Sequence, residues 1–134
     1  MSKTLVIAEK PSVGRDLAAA LPGTYKQNPD KTYLEGDDYL ITWAVGHLVG
    51  LAAPDEYDPK LKKWRFADLP ILPDKFKLVP NDDKSKKQLN AVHRLMRRDD
   101  VDLIVNACDA SREGELIFAY LYETSGVDKP VQRM

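Results

Sequence analysis

The sequence predicts an α/β fold with a mostly parallel central sheet flanked by helices, carrying an inserted hairpin and a long loop. Three observations lead there. "TLVIA" (Thr4 to Ala8) and "DLIVNAC" (Asp102 to Cys108) are short, continuous apolar runs rich in branched residues. Runs of that kind fit strands buried on both faces, as parallel sheets require. Each is followed by a loop and then a helical pattern, "EKPSVGRDLAAALPG" after the first and "SREGELIFAYLYETSG" after the second. The first run begins almost at the N-terminus, where the central strand of such a sheet often lies.

The elements follow in order. Pro11 or Ser12 can open the first helix, Leu17, Ala18 and Leu21 mark its apolar face, and Pro22-Gly23 ends it. "KTYLEGDDYLITWAVGHL" reads as a hairpin in which "KTYLE" and "DYLITWAV" flank a turn at Gly36-Asp37. From Val49 to about Asp74 the chain is crowded with Pro, Asp, Lys and aromatic residues, which predicts a long irregular excursion with one short helical turn. A loop that long in a compact domain is usually functional. "KFKLVP" adds a short strand. In "DDKSKKQLNAVHRLMRRDD", Leu89, Val92, Leu95 and Met96 recur at helical spacing, with an acidic start and a basic end that suit the helix dipole. Gly126 closes the last helix, and "KPVQRM" starts another extended segment before an abrupt stop, as expected of a fragment cut from a longer chain. The pattern β-α-ββ-α-β-α describes one Rossmann-like domain over residues 1–134.

Composition narrows the function. With 43% hydrophobic and 31% charged residues over 134 positions, the chain reads as one soluble globular domain. A net charge of −1 supplies no global basic field, so tight nucleic-acid binding by this chain alone is not expected. Cys108 is the only cysteine, which excludes an intramolecular disulfide and argues against a cysteine zinc site. It reads as a small buried residue near a strand end. No stretch approaches the ~20 apolar residues of a membrane span, and "MSKTLVIAEKPS" is unlike a secretion signal. A cytoplasmic location and no membrane partner are expected.

Charge is concentrated in "ACDASREGELI" (Ala107 to Ile117), at the exit of a buried strand, where charges cost stability unless paired. A metal ion, an anionic ligand and helix capping all answer that need. In an open parallel sheet ligands gather at the carboxyl ends of the strands. Glu9 ends the first strand and Asp109 the later one, so if the strands are neighbours both acids face one crevice. Glu113, in the first turn of the next helix, reaches toward the same space. Three carboxylates there would repel unless a divalent cation joined them, and oxygen ligands favour Mg²⁺ or Mn²⁺. Lys10 and Arg112 stand beside them, able to pair with an acid or to meet a phosphate. The plainer alternative makes Glu113 and Glu115 complements to a helix dipole, Ser111 an N-cap and Glu9 an exposed loop acid.

"LVIAEKPSVGRDLA", "GHL" (Gly46 to Leu48), "LP" followed by "ILPDKFKL", and "DASREGELI" occur in that order. Together they resemble the N-terminal TOPRIM domain of type IA DNA topoisomerases, most closely the topoisomerase III branch, over essentially the whole chain. The resemblance implies that Glu9 is an acid/base and metal-linked group near the scissile phosphate, and that Lys10 stabilises phosphate charge. It implies Asp109 as a Mg²⁺ ligand, Glu113 as the acid supporting that site and Arg112 as the arginine between them. His47, in "GHL", is a candidate DNA contact along with Lys10 and Arg112; a packed loop histidine is the alternative. One departure stands out: Ser111 occupies the place of the second aspartate of the family's D-x-D, so any metal contact there is weak or through water. The tyrosine nucleophile of the family lies on a separate downstream domain, and none of the six tyrosines here matches it. The implied partners are single-stranded DNA, bound weakly, and the remaining topoisomerase domains. The isolated chain is not expected to relax DNA.

Two other functions compete. A stand-alone TOPRIM nuclease or primase-type module would use the same acids with a different nucleophile, though Ser111 disfavours two metals. A phospho-receiver domain also gathers acids at strand ends, but it wants paired acids after the first strand, and "AEK" has one. On the rim, Lys60, Lys62 and Lys63 read as a solvated charge run, Trp64 as a base-stacking candidate, and "DDKSKKQ" as an exposed helix start.

Overall fold

A computed structural model of the chain describes residues 2–45, 49–51, 78–80 and 83–134. Its main sheet has six strands: β1 (Lys3–Ala8), β2 (Lys26–Gln27), β3 (Tyr33–Glu35), β4 (Tyr39–Trp43), β7 (Val101–Ala107) and β8 (Val131–Arg133). They lie in the order β2-β3-β4-β1-β7-β8, and β4, β1, β7 and β8 are parallel. The hairpin expected around Gly36 is β3 and β4, with the Gly36 N–H donating to the Tyr39 carbonyl at 2.9 Å. β2 extends it by one antiparallel strand. Both residues of β2 are exposed, so no apolar pattern marks it in the sequence.

The excursion expected from Val49 begins differently. Val49–Leu51 is strand β5, paired antiparallel with β6 (Leu78–Pro80), the short strand read in "KFKLVP". Three residues are too few to show a period, and their partner lies far along the chain. The rest of the excursion, together with His47 and the Lys60–Trp64 stretch, lies outside the described residues.

Alternate burial organises the layers. Leu5, Ile7, Leu40 and Ile104 join Leu89, Val92, Leu95 and Met96 of α2 (Asp83–Met96) and Ile117, Phe118 and Leu121 of α3 (Arg112–Ser125) in one core. The opposite face receives α1 (Pro11–Ala20), where Gly14 sits on Trp43 and Ile41. A Cβ at Gly14 would lie 2.7 Å from the Trp43 ring, so only glycine lets this helix approach the sheet so closely. Because β1 is covered on both sides, Leu5 through Ala8 are all fully buried, which is why the segment reads as an unbroken apolar run.

Polar ties fix the hairpin. The buried Gln88 of α2 donates to the Trp43 carbonyl at 2.7 Å and the Thr32 carbonyl at 3.2 Å. Asn28 closes the β2–β3 turn by accepting from the Thr32 and Tyr33 amides. At the N-terminal edge of the sheet Glu35 accepts from Lys3 at 2.8 Å and Arg98 at 3.2 Å, and Arg98 also pairs with Asp100 at 2.7 Å. These cations hold the carboxyl groups of Glu35 and Asp100 below their usual range.

Candidate active site

The carboxyl edge of the sheet places the acids. β1 and β7 are parallel neighbours in register from Thr4↔Leu103 to Ala8↔Ala107, so both chains leave the sheet side by side. Glu9 follows directly on β1 and Asp109 emerges two residues beyond β7. Their carboxyl groups are near enough for Asp109 to raise the Glu9 pKa. Burial is the first cause that raises the Glu9 pKa, followed by the Asp109 carboxylate and then Glu113, against the lowering effect of Lys10. Glu9 is only 8% exposed, an unusual position for an acid at a loop start.

Glu113 therefore reaches Glu9 through its charge, and Lys10 stands near enough to oppose it. Among the described residues, no three His, Cys, Asp or Glu side chains converge as a closed ion cage. The direct contact is the Glu9–Asp109 pair. Its chemistry still fits a cation: oxygen donors and a surplus of negative charge whose mutual repulsion a metal would compensate. Lys10, the N-cap of α1, and Arg112, the first residue of α3, are both exposed. Both helices begin at this edge, so two positive dipole ends and two exposed cations border the acids.

Ser111 is the N-cap of α3, its hydroxyl oxygen accepting the Gly114 N–H at 3.0 Å. The capping alternative is thus realised for this residue. Glu115, on the first turn, pairs with Arg133 of β8 at 2.9 Å and stands apart from the acid pair. Cys108 is 4% exposed, with its thiol pushed up to about 12 by burial and by the charge of Glu9. It is a packed residue, as its sequence position suggested.

Gly114 is the residue that sequence reasoning missed. A Cβ there would collide with the Asp109 carbonyl oxygen and lie 2.9 Å from the Asp109 nitrogen. The loop carrying Asp109 is folded flat against the first turn of α3, and only a bare Cα leaves room. The Ser111 N–H also donates to the Asp109 carbonyl at 2.8 Å, tightening the same turn. The signal available in the sequence was a glycine inside the opening turn of an otherwise strong helix.

No helix among the described residues is long and apolar enough to cross a membrane. Residues 4–134 match the Toprim domain family. The whole chain is 52% identical to DNA topoisomerase 3 of Bacillus subtilis and 48% identical to DNA topoisomerase 3 of Bacillus cereus. It spans 18% of the length of each of these relatives. Fold, motif order and similarity over the full length agree: the chain belongs to the Toprim domain family.

Proposed function

We propose that the chain is the catalytic Toprim module of a type IA DNA topoisomerase, binding Mg²⁺ and positioning the scissile phosphate of single-stranded DNA. The observation that carries this reading is the buried Glu9 with Asp109 beside it, at an edge where two helices begin. Glu9 and Asp109 would hold the ion, with Glu113 adding charge, and Mn²⁺ fits the same oxygen donors. Ser111 contributes weakly or through water, because its oxygen already caps α3. When bound, the ion supplies Lewis-acid stabilisation of phosphate charge.

The chain's own groups do the rest. Lys10 and Arg112 balance the phosphate's negative charge from either side of the acid pair. Glu9, whose pKa burial raises, is the acid/base group near the scissile phosphate. Strand breakage then needs a tyrosine from another domain of the parent protein, so this chain alone does not relax DNA. His47 belongs to the same proposal as a DNA contact. The similarity to DNA topoisomerase 3 relatives supports this role over that of a self-sufficient nuclease.

The test is an amide NMR titration with Mg²⁺ on the wild-type chain and on Glu9→Gln and Asp109→Asn. Saturable shifts at residues 9–10 and 109–113, lost in both variants, are expected. No shift at millimolar Mg²⁺ would refute metal binding by the isolated domain. A nicking assay with Mn²⁺ addresses the nucleophile: cleavage of DNA by this chain alone would replace the topoisomerase reading with a nuclease.

A further inference from the structure

The crevice does not use the most basic part of the molecule. From Lys84 to Arg98 the sequence carries six Lys or Arg residues and no acid, within a chain of net charge −1. Solvated helix faces usually mix signs, since like charges three or four residues apart destabilise a helix. Arg94 and Arg97, and Arg94 and Arg98, stand at those spacings. The dipole at the C-terminus of α2 accounts for a cation or two in the last turn. It does not account for Lys87, more than a turn earlier.

The tertiary structure adds two hollows along this face. One, of about 330 Å³, lies between α2 and the β2–β3 turn and is lined by Asn28, Asp30, Tyr33, Lys87, Arg94 and Arg98. The other, of about 540 Å³, is lined by Asn90, His93, Arg94, Arg97, Arg98 and Asp99. They share Arg94 and Arg98, so the two arginines form a ridge between adjoining concavities. Each hollow has one acid against three Lys or Arg side chains. Arg98 is partly spent on Glu35 and Asp100, and Arg97 donates from Nε to the Ser125 carbonyl. Lys87 and Arg94 are exposed and make no hydrogen bond or ion pair with the described residues. The first hollow is also lined by the half-buried Tyr33, which follows the turn that Asn28 closes.

We infer that this α2 face is a second nucleic-acid site, in which Lys87, Arg94 and Arg97 contact successive phosphates of a single strand and Tyr33 offers a stacking surface. An extended polyanion fits better than a compact one, because the cations run along the helix across two adjoining hollows. Spaced cations with an aromatic platform are what sequence-independent single-strand binding uses. The face runs along α2 from the Asn28–Tyr33 turn to Arg98 and Asp100, and neither hollow is lined by Glu9, Lys10, Asp109 or Arg112. A segment held here is therefore distinct from one whose phosphate is in the acid crevice. The inference takes nucleic acid as the polyanion from the proposed function, but it needs neither the metal nor the acids.

The experiment is binding of a short labelled oligothymidine to the full chain in EDTA, over a salt series, with an amide spectrum at the lowest salt. Lys87→Ala/Arg94→Ala removes two side chains that hold nothing else, so the fold is retained. The double variant should flatten the slope of log affinity against log salt by about 1.4, since each phosphate of a single strand that is no longer neutralised lowers the slope by about 0.7. It should also abolish shifts in residues 85–98 and 28–33. An unchanged slope, shifts confined to the acid crevice, or no binding at low salt would overturn the inference. So would complete displacement of the α2 shifts by millimolar inorganic phosphate, which would leave only a single-anion site. Loss of Mg²⁺ binding in the earlier titration would refute the metal reading and leave this one standing.

Discussion

Replacing Gly114 with alanine sets two opposing effects against each other. In an ordinary helix the change stabilises by about 1 kcal/mol, because alanine loses less backbone freedom on folding. Here the new methyl would collide with the Asp109 carbonyl oxygen and come within 2.9 Å of the Asp109 nitrogen, both backbone atoms that cannot rotate away. Overpacking of a fitted site costs about 1–3 kcal/mol, and moving the Asp109 turn strains the Ser111 cap, worth about 1 kcal/mol. The clash wins, with a net loss of about 1–3 kcal/mol. For a chain of this size that lowers the melting temperature by roughly 3–10 °C. Urea unfolding with an unchanged m-value measures the loss, and amide shifts at residues 108–112 report the displaced loop. Gly126→Ala is the comparison. Its φ of 72° costs about 1 kcal/mol, but nothing crowds its Cβ, so residues 108–112 should not move. Equal or greater stability of Gly114→Ala would refute the claim that Asp109 is seated on this glycine.

Other consequences follow from titration and burial. The raised Glu9 pKa means the folded chain binds a proton more tightly than the unfolded one. Its stability contribution therefore declines as pH rises from about 4.5 through the folded value. Glu9→Gln should consequently be more stable than wild type at neutral pH in EDTA and equal to it in strong acid, as measured by denaturant midpoints. For Glu35 and Asp100 the sign reverses: both pKa values are depressed, so their stabilisation is present above about 4.5 and 3.8 and fades as pH falls. Glu35→Gln should cost about 1 kcal/mol at pH 7, discounted for partial exposure, and almost nothing at the lowest accessible pH. His93 is buried and its pKa lies below 6.5, chiefly through desolvation and then the charge of Arg97. Folding thus favours the neutral ring, so stability is lost as pH falls below 6.5; His93→Gln should flatten that part of the pH–stability curve. Cys108, its thiol pushed up to about 12, should resist iodoacetamide at pH 8 in the native state and react in urea. Native labelling at the rate of a free thiol would contradict its placement in the core.

The sequence by itself determined the element types wherever burial imposes a period. β1 is legible because both its faces are covered, leaving no polar position from Leu5 to Ala8. The α2 stripe is legible because Leu89, Val92, Leu95 and Met96 all face one core. Glu9 and Asp109 stand out because charges at the exit of buried strands cost stability unless something pairs with them. Tertiary structure decided who meets whom. That β1 lies beside β7, with Ala8 opposite Ala107, brings two acids far apart in the chain side by side. The same assembly made Gly114 a seat for Asp109, joined Val49–Leu51 to Leu78–Pro80, and set the Asn28–Tyr33 turn against the basic face of α2. The physical reason is range. Helical and extended patterns are set by burial along a few successive residues, whereas register, close backbone approaches and hollows arise only when segments far apart in the chain pack together.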